Sequence, residues 1–213
     1  MTPADIESFF ATLKAANPHP RTELEFSSVF ELLVAVLLSA QATDVGVNKA
    51  TRRLFVVANT PQRMLDMGLD RLEQHIRTIG LYHSKARHLL QTSAMLVALH
   101  GGQVPRSRPA LEALPGVGRK TANVVLNVAF GEPTMAVDTH LFRLGNRTGI
   151  APGASPLEVE RNLLQRVPAD YLVDAHHWLI LHGRYICKAR TPQCWNCAVS
   201  NVCRYKLKAS APQ

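Results

Sequence analysis

Three places in this sequence hold residue types that do chemistry at a useful spacing. The first is LPGVGRKTANVVLNVAF, residues 114–130, a Pro-Gly/Gly turn that opens into an apolar helix with Arg119 and Lys120 in its first turn. A helix N-terminus is effectively positive, so an exposed lysine there is disfavoured by roughly 0.3–1 kcal/mol. Fold stability alone does not choose it. Either the two cations meet an anion that the turn also binds, or the lysine gains from easier loss of its proton. Gly116 and Gly118 let backbone N–H groups approach a phosphate unobstructed, although a plain helix–helix turn uses glycine in the same way. With 24 Lys and Arg against 16 Asp and Glu, the formal charge is +8 and the pI about 9.7, which suits a polyanionic partner such as nucleic acid. Binding through such a turn reaches phosphates rather than base edges, so little sequence preference is expected from it.

The second place is Asp138 in AVDTHLFRL. An Asp just before a helical run is a good N-cap. It can also assist an amine. A helix from Lys120 to Phe130 is roughly 15 Å long, and GEPTMAV extended at about 3.3 Å per residue can return beside its start, so Asp138 can reach Lys120. The two roles are compatible. Lys120 taken alone reads as a solvated helix lysine, but the helix end, Arg119 and an expected partial burial all disfavour the ammonium form. That is how a lysine becomes a nucleophile.

The third place is the carboxyl-terminal stretch, where Cys187, Cys194, Cys197 and Cys203 follow the pattern C-x6-C-x2-C-x5-C. In a reducing compartment four clustered thiolates suit a metal or an iron-sulfur cluster better than disulfides. Structural zinc sites usually show two short C-x2-4-C pairs and this chain has one, so the spacing favours a cluster and leaves zinc as the alternative. The loop KARTPQ between the first two cysteines carries Lys188 and Arg190. A closed metal site would fix that basic loop on the surface, within reach of phosphates.

The elements that position these residues read as helices almost throughout. FSSVFELLVAVLLSAQ is an apolar helix, and TDVGVNKATRRLFVVA an amphipathic one with Val47, Ala50, Leu54 and Val57 on one stripe. Amphipathic runs follow at PQRMLDMG, LDRLEQHIRTIG and SKARHLLQTSAMLVALHG, then SPLEVERNLLQRV and DYLVDAHHWLILHGRYIC, the last expected to end near Gly183. No alternating strand pattern stands out, so the expected fold is all-α. A chain of 213 residues suffices for one large or two small domains. Its longest charge-free apolar run, about residues 32–40, falls short of the ~20 needed to span a membrane. The stretch MTPADIESFFATLKAANPHP lacks the pattern of a secretory signal. A cytoplasmic, nucleoid-type location is therefore expected, with a small polar tail, KASAPQ.

LPGVGRKTA, the following VDTH, the four-cysteine pattern, LLSAQATD at 37–44 and IGLYHSKA at 79–86 together resemble the endonuclease III family of helix-hairpin-helix DNA glycosylases. The resemblance runs nearly end to end. It implies a two-lobed all-α fold: a six-helix domain at 22–132 with the helix-hairpin-helix at about 108–127, and a second domain from 1–21 and 133–213 carrying a C-terminal [4Fe-4S] cluster loop. Damaged double-stranded DNA is the expected partner, lying across the cleft, and the protein is expected to act as a monomer.

The resemblance further implies an enzyme of base excision repair that removes oxidised pyrimidines and cleaves abasic sites, a DNA glycosylase and AP lyase. Lys120 would attack C1′ of a flipped-out nucleotide and Asp138 would assist. Cys187, Cys194, Cys197 and Cys203 would hold the cluster. Gln41 and Leu81 would fill the hole that flipping leaves in the base stack, since unstacking is otherwise uncompensated. His83, Gly116, Gly118, Arg119, Lys188 and Arg190 complete the expected DNA contacts. From the residues alone Leu81, between Gly80 and Tyr82, reads as a core anchor, and Gln41 as a polar end to an apolar helix. His140 is ambiguous and is left out of the site. Thr191 and Gln193 make the cluster loop less basic than the family pattern. An adenine mismatch glycosylase relative is a rival reading, opposed by Lys120 and by Ala35 and Val36 where that relative uses an acid. A non-catalytic helix-hairpin-helix DNA-binding module is a rival of another class.

Overall fold

The computed structural model describes residues 1–211, so the last two residues of the polar tail lie outside it. Every regular element among the described residues is helical, as expected. In chain order these are α1 (Pro3–Ala16), α2 (Val29–Ser39), α3 (Asp44–Val57), α4 (Pro61–Met67), α5 (Leu69–Ile76), α6 (Tyr82–His100), α7 (Arg108–Glu112), α8 (Arg119–Phe130), α9 (Thr139–Thr148), α10 (Pro156–Arg166) and α11 (Leu172–Tyr185). Short 3-10 turns lie at Ala169–Tyr171 and Cys194–Asn196. No helix of the described residues is long and apolar enough to cross a membrane.

Side-chain caps set most of the helix starts. Thr2, Ser28, Thr43, Thr60 and Ser155 each accept a hydrogen bond from the N–H three residues on, satisfying donors the helix cannot. The cap at Ser28 starts α2 at Val29, later than its apolar run suggested. α6 begins at Tyr82, two residues earlier than the run SKARHLL, because Leu81 takes the cap position in a left-handed conformation. α11 continues past Gly183 to Tyr185. The stripe of α3 needs one correction. Val47, Ala50 and Leu54 are buried, but Val57 is exposed, and the buried position after Leu54 is the C-cap residue Ala58. The helix ends there, and the turning chain carries Ala58, not Val57, inward.

The chain divides into two units, each with its own core. Thr22–Gly131 forms one, holding α2 to α8. Its centre is α2, buried from Phe30 to Leu38 and packed against α3, α6 and α8. Met1–Arg21 and the chain from Glu132 onward form the other. There Phe9 and Phe10 of α1 are fully buried, and Phe10 stacks on Tyr171 at 5.8 Å between ring centroids. The Trp178 indole donates to the Asn17 carbonyl at 2.8 Å, and the Tyr171 hydroxyl to Glu7 at 2.6 Å. Burying a side chain of this size contributes about 1.5–3 kcal/mol, enough to tie the amino-terminal helix to residues far along the sequence.

Candidate functional site

In the unit spanning 22–131, α7, a tight turn and α8 form a helical hairpin. Leu111, Leu114 and Val117 are buried and anchor the turn, while Gly116, Gly118, Arg119 and Lys120 face solvent. The Thr92 hydroxyl of α6 fixes the turn by donating to the Pro115 carbonyl at 3.0 Å. Gly116 is required twice over. Its φ is +77°, and a Cβ there would lie 2.8 Å from Nδ1 of His88. Gly118 is the N-cap of α8 and, having no side chain, supplies no cap bond to this positive helix end, where an anion is favourably placed. Lys120 is the second residue of α8. The partial burial expected for it is not found: it is exposed, because Val117 and Ala122 take the inward positions on either side. Its reading as a reactive amine therefore rests on the helix end and on Arg119.

Two other turns of this unit carry Gln41 and Leu81. Among the described residues these are the only non-glycine residues with positive φ, at 56° and 59°. Such a conformation is uncommon and costs of order 1–3 kcal/mol, and it clusters at functional sites. Leu81 is 65% exposed, which overturns the core-anchor reading of that residue. A leucine held in a strained conformation and offered to solvent has no packing role. His83 of α6 pairs through Nδ1 with Glu73 of α5 at 2.8 Å and lies against the Tyr82 ring, centroids 4.0 Å apart.

In the other unit, Asp138 is the N-cap of α9. Its Oδ1 accepts from the N–H groups of His140 at 2.8 Å and Leu141 at 2.9 Å, which leaves Oδ2 out of the cap. Two arginines of the same helix hold the cysteine loop, and sequence reasoning missed both. Arg143 donates to the carbonyls of Gly183 at 2.8 Å and Cys187 at 3.2 Å. Arg147 donates to those of Lys188 at 2.7 Å and Ala189 at 2.9 Å, and its guanidinium lies 4.9 Å from the Tyr205 ring centroid. Burial lowers the pKa of Arg143, opposed by Cys187 and Asp138 nearby. His140 meets Arg143 through Nδ1 at 3.2 Å and packs against Gly183.

Cys187, Cys194, Cys197 and Cys203 line a single cavity with His182, Arg147 and Tyr205, and none of the four is in a disulfide. Burial raises the pKa of Cys197 and Cys203, and the neighbouring cysteines raise both further. Four thiolates gathered here need a positive centre to be stable. Among the described residues no three His, Cys, Asp or Glu side chains are grouped as they would be around one ion. The four cysteines are the only thiols of the chain, and they are a donor set that either a thiophilic metal ion or an iron-sulfur cluster can use. His182, buried beside Cys197 with Nε2 3.6 Å from its sulfur, has its pKa lowered by burial to about 4 and is neutral at physiological pH. Lys188 is half-buried and Arg190 exposed on the loop that Arg147 secures.

Residues 34–169 match the family described as HhH-GPD superfamily base excision DNA repair protein. The chain is 62% identical over 196 residues to endonuclease III of Escherichia coli strain K12, covering 92% of this chain and 93% of that protein. The chain belongs to the endonuclease III family. The endonuclease III of Haemophilus influenzae is 61% identical over 92% of this chain and 93% of its own, and that of Treponema pallidum 54% over 93% and 94%. A solved structure of a trapped endonuclease III–DNA covalent intermediate matches with a TM-score of 0.89 and 46% identity, covering 96% of each chain. A thermostable thymine-DNA glycosylase matches with a TM-score of 0.84 at 25% identity, over 95% of this chain and 96% of its own.

Proposed function

We propose that this protein is a base-excision-repair DNA glycosylase for oxidised pyrimidines with an associated abasic-site lyase activity, in which Lys120 is the nucleophile. The observation that carries the reading is an exposed lysine at the N-terminus of α8, in a hairpin turn open to phosphate, in a chain 46% identical to an endonuclease III trapped covalently on DNA. Backbone N–H groups at Gly116 and Gly118, with Arg119, hold phosphates of a damaged duplex. The target nucleotide leaves the stack, and Gln41 and Leu81 fill its place. The Lys120 amine then attacks C1′ and the base departs with the electrons of the glycosidic bond, taking up a proton. Asp138 assists by accepting a proton from the amine or by stabilising positive charge on the sugar. Ring opening leaves a Schiff base between Nζ and C1′. Loss of a C2′ proton expels the 3′ phosphate by β-elimination, and water releases the lysine.

Cys187, Cys194, Cys197 and Cys203 fit a [4Fe-4S] cluster, which when bound supplies cross-links that fix the carboxyl-terminal loops. Freshly purified protein is expected to contain iron and acid-labile sulfide in near-equal amounts. Stoichiometric zinc without sulfide would overturn this assignment. The loop it fixes presents Lys188 and Arg190 to the DNA backbone. In Lys188→Ala or Arg190→Ala, the slope of log affinity against log salt for undamaged duplex should shrink by about one unit per lost phosphate contact. A slope unchanged in both variants would show that the loop does not touch DNA.

The reading as a whole is tested by incubating the protein with a duplex carrying one abasic site in the presence of sodium borohydride. A covalent protein–DNA adduct, together with excision from duplexes bearing single oxidised pyrimidines, is the expected result. Binding without incision would instead identify a non-catalytic DNA-binding module.

A further inference from the structure

Lys85 lies on α6 with only 6% of its surface exposed. Among the described residues no carboxylate pairs with it. Its Nζ instead donates to the carbonyls of Leu38 at 3.0 Å and Ala40 at 2.6 Å, at the C-terminus of α2. Those carbonyls have lost their helical partners, and that helix end is effectively negative, so an ammonium is stabilised there. Burial lowers the Lys85 pKa, an unfavourable effect that an apolar side chain of similar length would avoid. A residue retained at such a cost in the core calls for a reason beyond packing.

That reason lies in what its two ends touch. The Lys85 side chain grips Ala40, the residue before Gln41, while its backbone N–H donates to the carbonyl of Leu81 at 3.1 Å. Gln41 and Leu81 are the two residues of positive φ. The two turns also pass close together, for a Cβ built on Gly80 would lie 4.0 Å from the Gln41 carbonyl oxygen. The rest of the α2 terminus is closed by local bonds, Ser39 Oγ to the Val36 carbonyl at 2.7 Å and Ala42 N–H to the Ser39 carbonyl at 3.0 Å. The Lys85 side chain thus ties the residue before Gln41 to the first turn of α6, the helix that Leu81 caps.

We propose that Lys85 is a positioning residue: a buried strut that holds the Gln41 and Leu81 turns in fixed register, so that both side chains enter the base stack together. This rests on the glycosylase reading above. Lys85 does not touch DNA or the reacting atoms in this role. It matters only where a stack must be opened and filled, and a single strand offers no such stack.

The test compares two substrates and two backgrounds. Lys85→Met should slow single-turnover excision from a duplex bearing one oxidised pyrimidine by about tenfold or more, while borohydride trapping on a single-stranded abasic oligonucleotide stays within about twofold of wild type. In a Gln41→Ala/Leu81→Ala background, Lys85→Met should cause no further loss on the duplex, because the groups it positions are gone. An equal loss on both substrates, or an undiminished loss in the double-alanine background, overturns the strut. Should Lys85→Met fail to fold, Lys85→Gln, which keeps a donor on a polar side chain, takes its place. It is expected to melt near wild type and to show a smaller split in the same direction, and a folded Lys85→Gln with no split overturns the proposal. If wild-type protein forms no borohydride adduct on an abasic duplex, the glycosylase and lyase reading fails first, and the strut falls with it.

Discussion

Lys120→Gln is expected to yield no borohydride-trapped adduct and no strand cleavage on abasic duplex, while remaining folded and bound to damaged DNA. The separation follows from where Lys120 sits. It is exposed at the second position of α8, so no core contact is removed. Gln has nearly the same helix propensity as Lys, and removing a cation from a helix N-terminus relieves about 0.3–1 kcal/mol of unfavourable interaction. The melting temperature should therefore hold or rise slightly. The phosphate-facing backbone at Gly116 and Gly118 is untouched, so binding should weaken only as the loss of one charge requires, with a salt slope smaller by about one. Stability and activity then move in opposite directions, the pattern of a residue chosen for chemistry at some expense to the fold. Peptide mapping of the wild-type adduct decides the point. Attachment at any residue other than Lys120, or full lyase activity in Lys120→Gln, would falsify the assignment.

Asp138→Asn should fold and bind normally and yet turn over about a hundredfold more slowly or worse, in the range expected when a positioned acid or base is lost. The cap geometry makes this substitution clean. Both backbone donors, His140 and Leu141, bond to Oδ1, and the amide oxygen of Asn can accept them in the same way. Asn and Asp are comparable N-caps, whereas Asp138→Ala would forfeit the cap at about 1 kcal/mol and confuse folding with chemistry. The two variants should therefore differ in melting temperature and agree in lost turnover. If Asp138→Asn keeps a third or more of wild-type turnover, the carboxylate is a cap and nothing else.

The all-helical fold was legible because the apolar spacing and the Ser and Thr caps agree along the chain. Its errors fall where tertiary geometry overrides local pattern. Val57 continues a helical stripe in the sequence, but α3 ends at that residue and Ala58 turns inward. Leu81 looks like a core residue because leucine usually is one, and only its left-handed backbone and its exposure show otherwise. Lys120 was singled out for its place at a helix start, but the burial attributed to it is absent, since the sequence does not reveal which face of a first turn the neighbouring helices cover. Lys85 escaped notice although a signal was present. It lies on the same stripe as Leu89, Thr92 and Leu96, all buried, so its spacing places a lysine among core positions. Arg143 and Arg147 could not be found this way, because their acceptors are backbone carbonyls some forty residues further on.

The unit built from both ends of the sequence has a consequence for biosynthesis. α1 leaves the ribosome before the rest of its unit, and Phe9 and Phe10 find their cover in Tyr171, Trp178 and His182, encoded more than 150 residues later. At about 5–20 residues per second, translation takes roughly ten to thirty seconds to cross that gap. During that time residues 22–131 can complete their own core, since every partner of α2 to α8 in it is already present. The nascent amino-terminal helix stays without its partners, showing two adjacent aromatic rings. Slowing synthesis between residues 131 and 178 should therefore lengthen the exposure of a sticky segment, whereas slowing it earlier should give the central core time to form.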